Sequence, residues 1–284
     1  MGKLNTKTMI TIVLLLAFIV LLLMVHEVSV HGSPNTVEEY IINESKNEIR
    51  IIVLVDNNVY RRGLDTAWGI SICIGRGGKT ILFDTGPSSD VLIRNSIEMG
   101  VNLSSISAIV LSHEHGDHIG GISALDSYAH KITVYVPHGF SIGVIEQLRE
   151  KGYNVIVVNN TMEIMKNVYV LKPLYGPPWE QALVLNTSKG LVIITGCSHP
   201  GIVNIVTEAV REFNRTPYMV IGGFHLIGSP PQRVEEIADE LVKLGVHKIY
   251  PLHCSGDEIR RYLAEKYPQY YGDGGVGLVI VLPD

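Results

Sequence analysis

Short apolar, β-branched runs closed by turn residues recur along most of the chain, the pattern of strands ending at turns. IRIIVLVDN (residues 49–57) opens the series, and GISICIG and KTILFDTG follow as a hairpin-like pair around RGGK. The spacing of DVLIRNSIEMG predicts a helix stopped at Gly100, after which SAIVLS reads as a strand. KITVYVP, GFSIGVIEQLREKGY and NVIVVN repeat the order strand, helix, strand. NVYVLKPL, QALVLNTSKGLVIITG and PYMVIGG continue as strands, and HKIYPLHCSG closes the series. Between the last two, SPPQRVEEIADELVKLGV carries Pro230 and Pro231 at its first turn, Gly245 at its end and an apolar stripe through Val234, Ile237 and Leu241. The pattern predicts a mixed α/β domain with its polar residues collected at strand ends.

The first residues obey a different pattern. Lys3 and Lys7 precede Thr8 to Val25, a stretch without a single charge and about long enough to cross a hydrocarbon core as a helix. Residues 1–30 therefore read as an uncleaved membrane anchor, with a cleaved signal peptide as the alternative. The flanking lysines place the rest of the chain outside the cytoplasm, membrane-anchored or, if cleavage occurs, secreted. Sequons at Asn43 and Asn214 are compatible with export. Residues 31–47 read as a polar linker and 48–284 as the catalytic domain.

Composition narrows the function classes. A formal charge of -5 over 284 residues gives no basic footprint for nucleic acid, which is not expected as a partner. With 46% apolar residues the chain can bury a substantial core. The 3 cysteines, widely spaced, do not make a disulfide framework. Cys73 lies in an apolar strand and reads as core, whereas Cys197 and Cys254 each stand within two residues of a histidine.

The chemistry gathers where the strands end. Asp84 follows one strand, and the segment SHEHGDH, with His113, His115, Asp117 and His118, follows the next. His199 in GCSHPG, His225 in GGFHL and His253 in PLHCSG follow three more. In an extended segment residues two apart point the same way, so His113 and His115 can offer imidazoles to one ion, while Asp117 and His118, beyond the turn at Gly116, can face a second. Imidazole and carboxylate suit zinc, manganese or iron. His199 and His253 can complete the two sets only if the fold brings them there.

His-x-His-x-Asp-His after a strand, preceded by ILFDTG, resembles the metallo-β-lactamase fold superfamily across residues 48–284. The resemblance implies an αββα sandwich with two divalent metal ions, zinc first among the candidates, at one edge of the sheets. EQALVL, GCSHPGI, GGFHL and PLHCSG are similar to the subgroup of 7,8-dihydropterin-6-yl-methyl-4-(β-D-ribofuranosyl)aminobenzene 5′-phosphate synthase-like proteins, linked to methanopterin synthesis. On that pattern His113, His115 and His199 bind one ion, and Asp117, His118 and His253 the other. Cys197 stands where a glyoxalase-like relative carries a bridging aspartate, and reads as a bridging thiolate or a buried structural cysteine. Asp84 reads as the carboxylate that holds the histidine loop from behind. His225 reads as a proton donor or substrate contact at the rim, or as a core histidine, and Glu180 as a weaker candidate for substrate binding. The subgroup's Glu-His pair is replaced here by Ala67 and Trp68, which makes Trp68 a candidate for a changed substrate.

Three functions follow as expectations. The first is a hydrolase using metal-bound hydroxide on a small ester, lactone or phosphoester, with Asp117 and His225 as catalytic residues. The second is a transferase of the pterin-joining kind, in which the ions would hold a diphosphate leaving group. The third is a non-catalytic metal-binding module, which an intact set of six ligands disfavours.

Overall fold

In this computed structural model residues 48–284 are described; the expected anchor over residues 8–25 and the linker over 31–47 lie outside them. Among the described residues no helix is long and apolar enough to cross a membrane.

Two mixed sheets face each other. In the first, strands β1 (Glu48–Val55), β2 (Ser71–Arg76), β3 (Lys79–Phe83), β4 (Ile106–Val110), β5 (Thr133–Pro137) and β6 (Asn154–Val158) lie side by side in sequence order, and a last strand, β15 (Val279–Pro283), pairs with the free side of β1. From β3 to β6 the strands run parallel. The second sheet has the order β14 (Lys248–Leu252), β13 (Pro217–Gly223), β12 (Gly190–Thr195), β11 (Leu183–Thr187), β8 (Val168–Val170), β7 (Met162–Met165), with β12, β13 and β14 parallel. A short hairpin of β9 (Leu174–Tyr175) and β10 (Trp179–Glu180) stands apart.

The apolar runs are continuous because each sheet is covered on both faces. On β1, Ile51 and Val53 point between the sheets, where Phe83, Leu183, Ile194 and Ile221 join them. Ile52 and Leu54 point the other way, under Leu92 of the helix Ser89–Glu98 and Leu148 of the helix Ile142–Glu150. Beyond the second sheet, Ile205, Val234 and Ile259 from the helices Ile202–Phe213, Pro231–Lys243 and Asp257–Lys266 cover Ile193 and Val220. The layers are helix, sheet, sheet, helix, as the sequence resemblance implied.

Parallel strands in both sheets deliver their C-terminal ends to one edge. Gln181 joins the two sheets there: its side-chain amide donates to the carbonyls of Leu111 and Tyr135 at 2.8 and 3.0 Å, and its backbone N–H donates to Ser112. The predicted strands agree with the structure to within a few residues, whereas β7, β9 and β10 were not among them. The helices Ile202–Phe213 and Asp257–Lys266 and the strand β15 are additions from the structure.

Packing between the sheets carries much of the stability. Ile221→Ala is expected to destabilise the domain by about 2–5 kcal/mol, because the truncated side chain leaves a cavity between two sheets that cannot collapse. Ile97→Ala, at a site 64% exposed, is expected to stay within about 0.5 kcal/mol. Guanidinium denaturation of the two variants measures the contrast.

Candidate metal centre

The histidine loop is built outward from one buried carboxylate. Asp84, at the end of β3, accepts hydrogen bonds from the Ser112 backbone N–H at 2.7 Å and the Ser112 hydroxyl at 2.6 Å. Its Oδ2 also lies 2.7 Å from Nδ1 of His118. An ionised carboxylate only accepts, so the His118 proton sits on Nδ1 and the lone pair on Nε2 faces the site. Because the Ser112 hydroxyl donates to Asp84, its oxygen accepts from Nδ1 of His113 at 2.9 Å, and His113 also presents an unprotonated Nε2. Gly196 passes so close beneath this network that a Cβ there would lie 2.1 Å from Ser112 Oγ. Any other residue would push the two sheets apart at this point.

A second buried carboxylate fixes the loop that carries His199. Glu180 Oε1 accepts from the backbone N–H groups of Cys197 and Ser198, both at 2.8 Å, and Oε2 accepts from that of His199 at 2.7 Å. Burial pushes its carboxyl up to about 7, against those hydrogen bonds. Glu180 is therefore committed to the loop and is 1% exposed, which corrects the expectation that it touches substrate. His253 is oriented from β1: Asp56 accepts from its backbone N–H at 2.8 Å, and its Nδ1 lies 3.0 Å from Asn57 Oδ1. That leaves Nε2 to face Asp117 Oδ2, 3.2 Å away.

The six residues singled out by sequence converge in two groups. Donor atoms of His113, His115 and His199 lie within 4.8 Å of one another, and so do those of Asp117, His118, Cys197 and His253. Nε2 of His199 and of His253 are buried without a hydrogen-bond partner. Burial and the neighbouring imidazoles hold His113 well below its ordinary pKa and His199 down to about 4, so both rings are free bases. Burial works against ionisation of Asp117, but its neighbours His253 and His118 prevail and hold it at about 2. Four residues of these loops, Asp84, Ser198, His225 and His253, adopt positive φ (53, 63, 54 and 46°) without being glycine. Such conformations cost about 1–3 kcal/mol each and persist where surrounding structure over-determines them.

The loop segments that carry the donor residues hold no cationic side chain. No lysine or arginine occurs in the segments 84–87, 111–121, 176–180, 195–201, 222–228 or 251–257. Buried carboxylates without a cationic partner are expensive. The unpartnered imidazole nitrogens and the unbalanced negative charge fit a pair of divalent cations.

The remaining candidates stand around the centre. Cys197 Sγ is 3.2 Å from His118 Nε2, inside the second group. His225 is exposed, its ring centroid 4.4 Å from that of His199, so the core reading is set aside. Trp68 is 52% exposed, with its ring 4.9 Å from that of His253. A cavity of about 420 Å³ opens beside His253, lined also by Asn58, Ile227, Ser229 and Asp257. Asp56, Asn57 and Ser112, which aim the ligand histidines, escaped the sequence reading; their signal was the position of each at a strand end, without a motif of its own.

Four layers and a histidine–carboxylate centre at the sheet edge define the class. A metallo-beta-lactamase superfamily profile matches residues 71–211, and the chain belongs to that superfamily. The 7,8-dihydropterin-6-methyl-4-(beta-D-ribofuranosyl)-aminobenzene-5'-phosphate synthase of Methanocaldococcus jannaschii is 28% identical, with 71% of this chain and 84% of that protein covered. Among solved structures, Tm1679, described as a metal-dependent hydrolase of the beta-lactamase superfamily, is 28% identical and superposes with a TM-score of 0.72 over 83% of this chain and 100% of that one. The metallo-beta-lactamase fold protein YhfI from Bacillus subtilis, 15% identical with a TM-score of 0.61 over 83% of this chain and 100% of its own, shares the fold.

Asp84→Asn tests the inner carboxylate. The variant keeps the shape and tolerates positive φ, but an amide replaces the carboxylate that accepts from His118 and Ser112. Metal affinity is expected to fall about 10–100-fold with the fold intact, read by competition with a chromophoric chelator and by circular dichroism.

Proposed function

We propose that the protein is a metal-dependent hydrolase of a small ester, lactone or phosphoester. The observation that carries this reading is the convergence of two donor groups, with Nε2 of His199 and of His253 buried and unpartnered between them. His113, His115 and His199 would hold one cation, and Asp117, His118 and His253 the other. Cations held there supply Lewis acidity, polarising a carbonyl or phosphoryl oxygen and acidifying water. The chain's own groups do the positioning. Asp84 and Asn57 keep the imidazole lone pairs facing inward, and Glu180 holds the His199 loop in register. Asp117 stays ionised beside both His118 and His253. Trp68 and the cavity beside His253 border the open side, where substrate would rest. Anchoring outside the cytoplasm through residues 8–25 belongs to the same reading, supported by that uncharged segment behind Lys3 and Lys7.

A transferase joining a dihydropterin to an aminobenzene is the second reading, favoured by the name of the 28% identical relative from Methanocaldococcus jannaschii. The same cations would then neutralise a diphosphate leaving group.

One assay separates the two. Protein loaded with zinc, manganese or iron is expected to turn over at least one ester, lactone or phosphodiester of a generic panel. Chelation or His115→Ala is expected to return the rate to background. Turnover that survives chelation would sink the metal mechanism. A silent panel, with pyrophosphate released from a dihydropterin diphosphate only when an aminobenzene is present, would establish the transferase instead.

A further inference from the structure

We propose that Cys197, His225 and Cys254 form a third, thiolate-rich metal site for a soft divalent ion such as zinc, beside the histidine-rich pair. The three residues follow β12, β13 and β14, which are neighbours in the second sheet. Their donor atoms lie within 4.8 Å of one another. The Cys254 thiol donates to the backbone carbonyl of Cys197 at 3.7 Å. Both thiols are buried, Cys197 at 3% and Cys254 at 4% exposure, whereas His225 opens to solvent.

The backbone is shaped for this meeting. A Cβ at Gly223 would lie 2.7 Å from Cys254 Sγ and 3.3 Å from Cys197 Cα, so a side chain at this position would fill the space the thiols occupy. His225 is held at φ 54°, and this left-handed turn brings its ring to Cys254 and to within 4.4 Å of His199. Cys73, the remaining cysteine, sits in the apolar cluster under the first sheet with none of these features.

The donor set selects the ion. Two sulfurs and one imidazole favour zinc over magnesium or calcium, and three protein donors leave a fourth tetrahedral position open on the exposed His225 side. Binding is an acid–base exchange without redox change: each thiol gives its proton to solvent and each sulfur forms a bond to the ion. The two thiolate charges balance one divalent cation. Cys197 also belongs to the group of Asp117, His118 and His253. Its sulfur can therefore bridge the third ion to the pair, in the arrangement that places ions about 3.5–4 Å apart in two-metal sites.

The test uses cobalt as the probe on the full-length protein, reading metal content and the near-ultraviolet thiolate-to-cobalt charge-transfer absorption. Three equivalents and a charge-transfer band are expected. Cys254→Ser should lose one equivalent and weaken the band, while Cys73→Ser should retain all three. Should Cys254→Ser not fold, His225→Ala decides, since it leaves both sulfurs in place and should still lose one equivalent. Two equivalents in the unaltered protein would overturn the proposal. So would a band and a metal content undiminished in Cys254→Ser but reduced in Cys197→Ser, because the thiolate would then serve only the pair. A single reactive thiol after denaturation without reductant would also overturn it, showing Cys197 and Cys254 joined as a disulfide. The two histidine-borne equivalents are counted in the same measurement, so failure of the third site is distinct from failure of the hydrolase reading.

Discussion

The candidate centre depends on a buried carboxylate that cannot move. Asp84, fully enclosed between the sheets, accepts from Ser112 twice and from His118 once, and through the Ser112 hydroxyl it also sets the tautomer of His113. One negative charge thereby turns two imidazole lone pairs toward the same space. Such a charge is costly to bury, and hydrogen bonds offset part of that cost. The loop segments 111–121, 195–201 and 251–257 that carry the six donors contain no lysine or arginine to balance it.

The same device is repeated with different residues. Glu180 gathers three backbone N–H groups and so shapes the turn that carries Cys197 and His199. Asp56 and Asn57 do the corresponding work for His253. Each ligand loop is thus held by a polar group rooted in a strand rather than by its own conformational preference. That arrangement accommodates positive φ at Asp84, Ser198 and His253, each tied by one of these hydrogen bonds. A site built on strand ends and braced in this manner is rigid before any ligand arrives, which is what ordered metal binding and substrate positioning require.

Superfamily membership accounts for the scaffold and the donor pattern, and local differences give the site its own character. Where the subgroup carries a Glu-His pair, Trp68 presents a half-exposed indole beside His253. At the position of the bridging aspartate in glyoxalase-like relatives, Cys197 offers sulfur within 3.2 Å of His118. These two positions separate this centre from an all-oxygen-and-nitrogen one with a polar rim.

The chain on its own determined the strand-rich α/β order, because strands covered on both faces must be apolar throughout and that is visible locally. It also determined the cluster at 113–118, since the donors are near neighbours in one loop and their spacing alone makes them face one place. The pairing of β15 with β1 and the covering helices Ile202–Phe213 and Asp257–Lys266 were less legible. Pairing across most of the chain leaves no local mark, and the helix 202–213 follows at once on a motif read for its chemistry. His199 and His253 were recognisable as residues at strand ends, but only the stacking of one sheet on the other brings them to the cluster. Glu180 was misread for the same reason: its neighbours in sequence say nothing of the three N–H groups it meets in space. The meeting of Cys197 with Cys254 and His225 was likewise decided by tertiary structure, because contact between strand ends depends on which strands lie side by side.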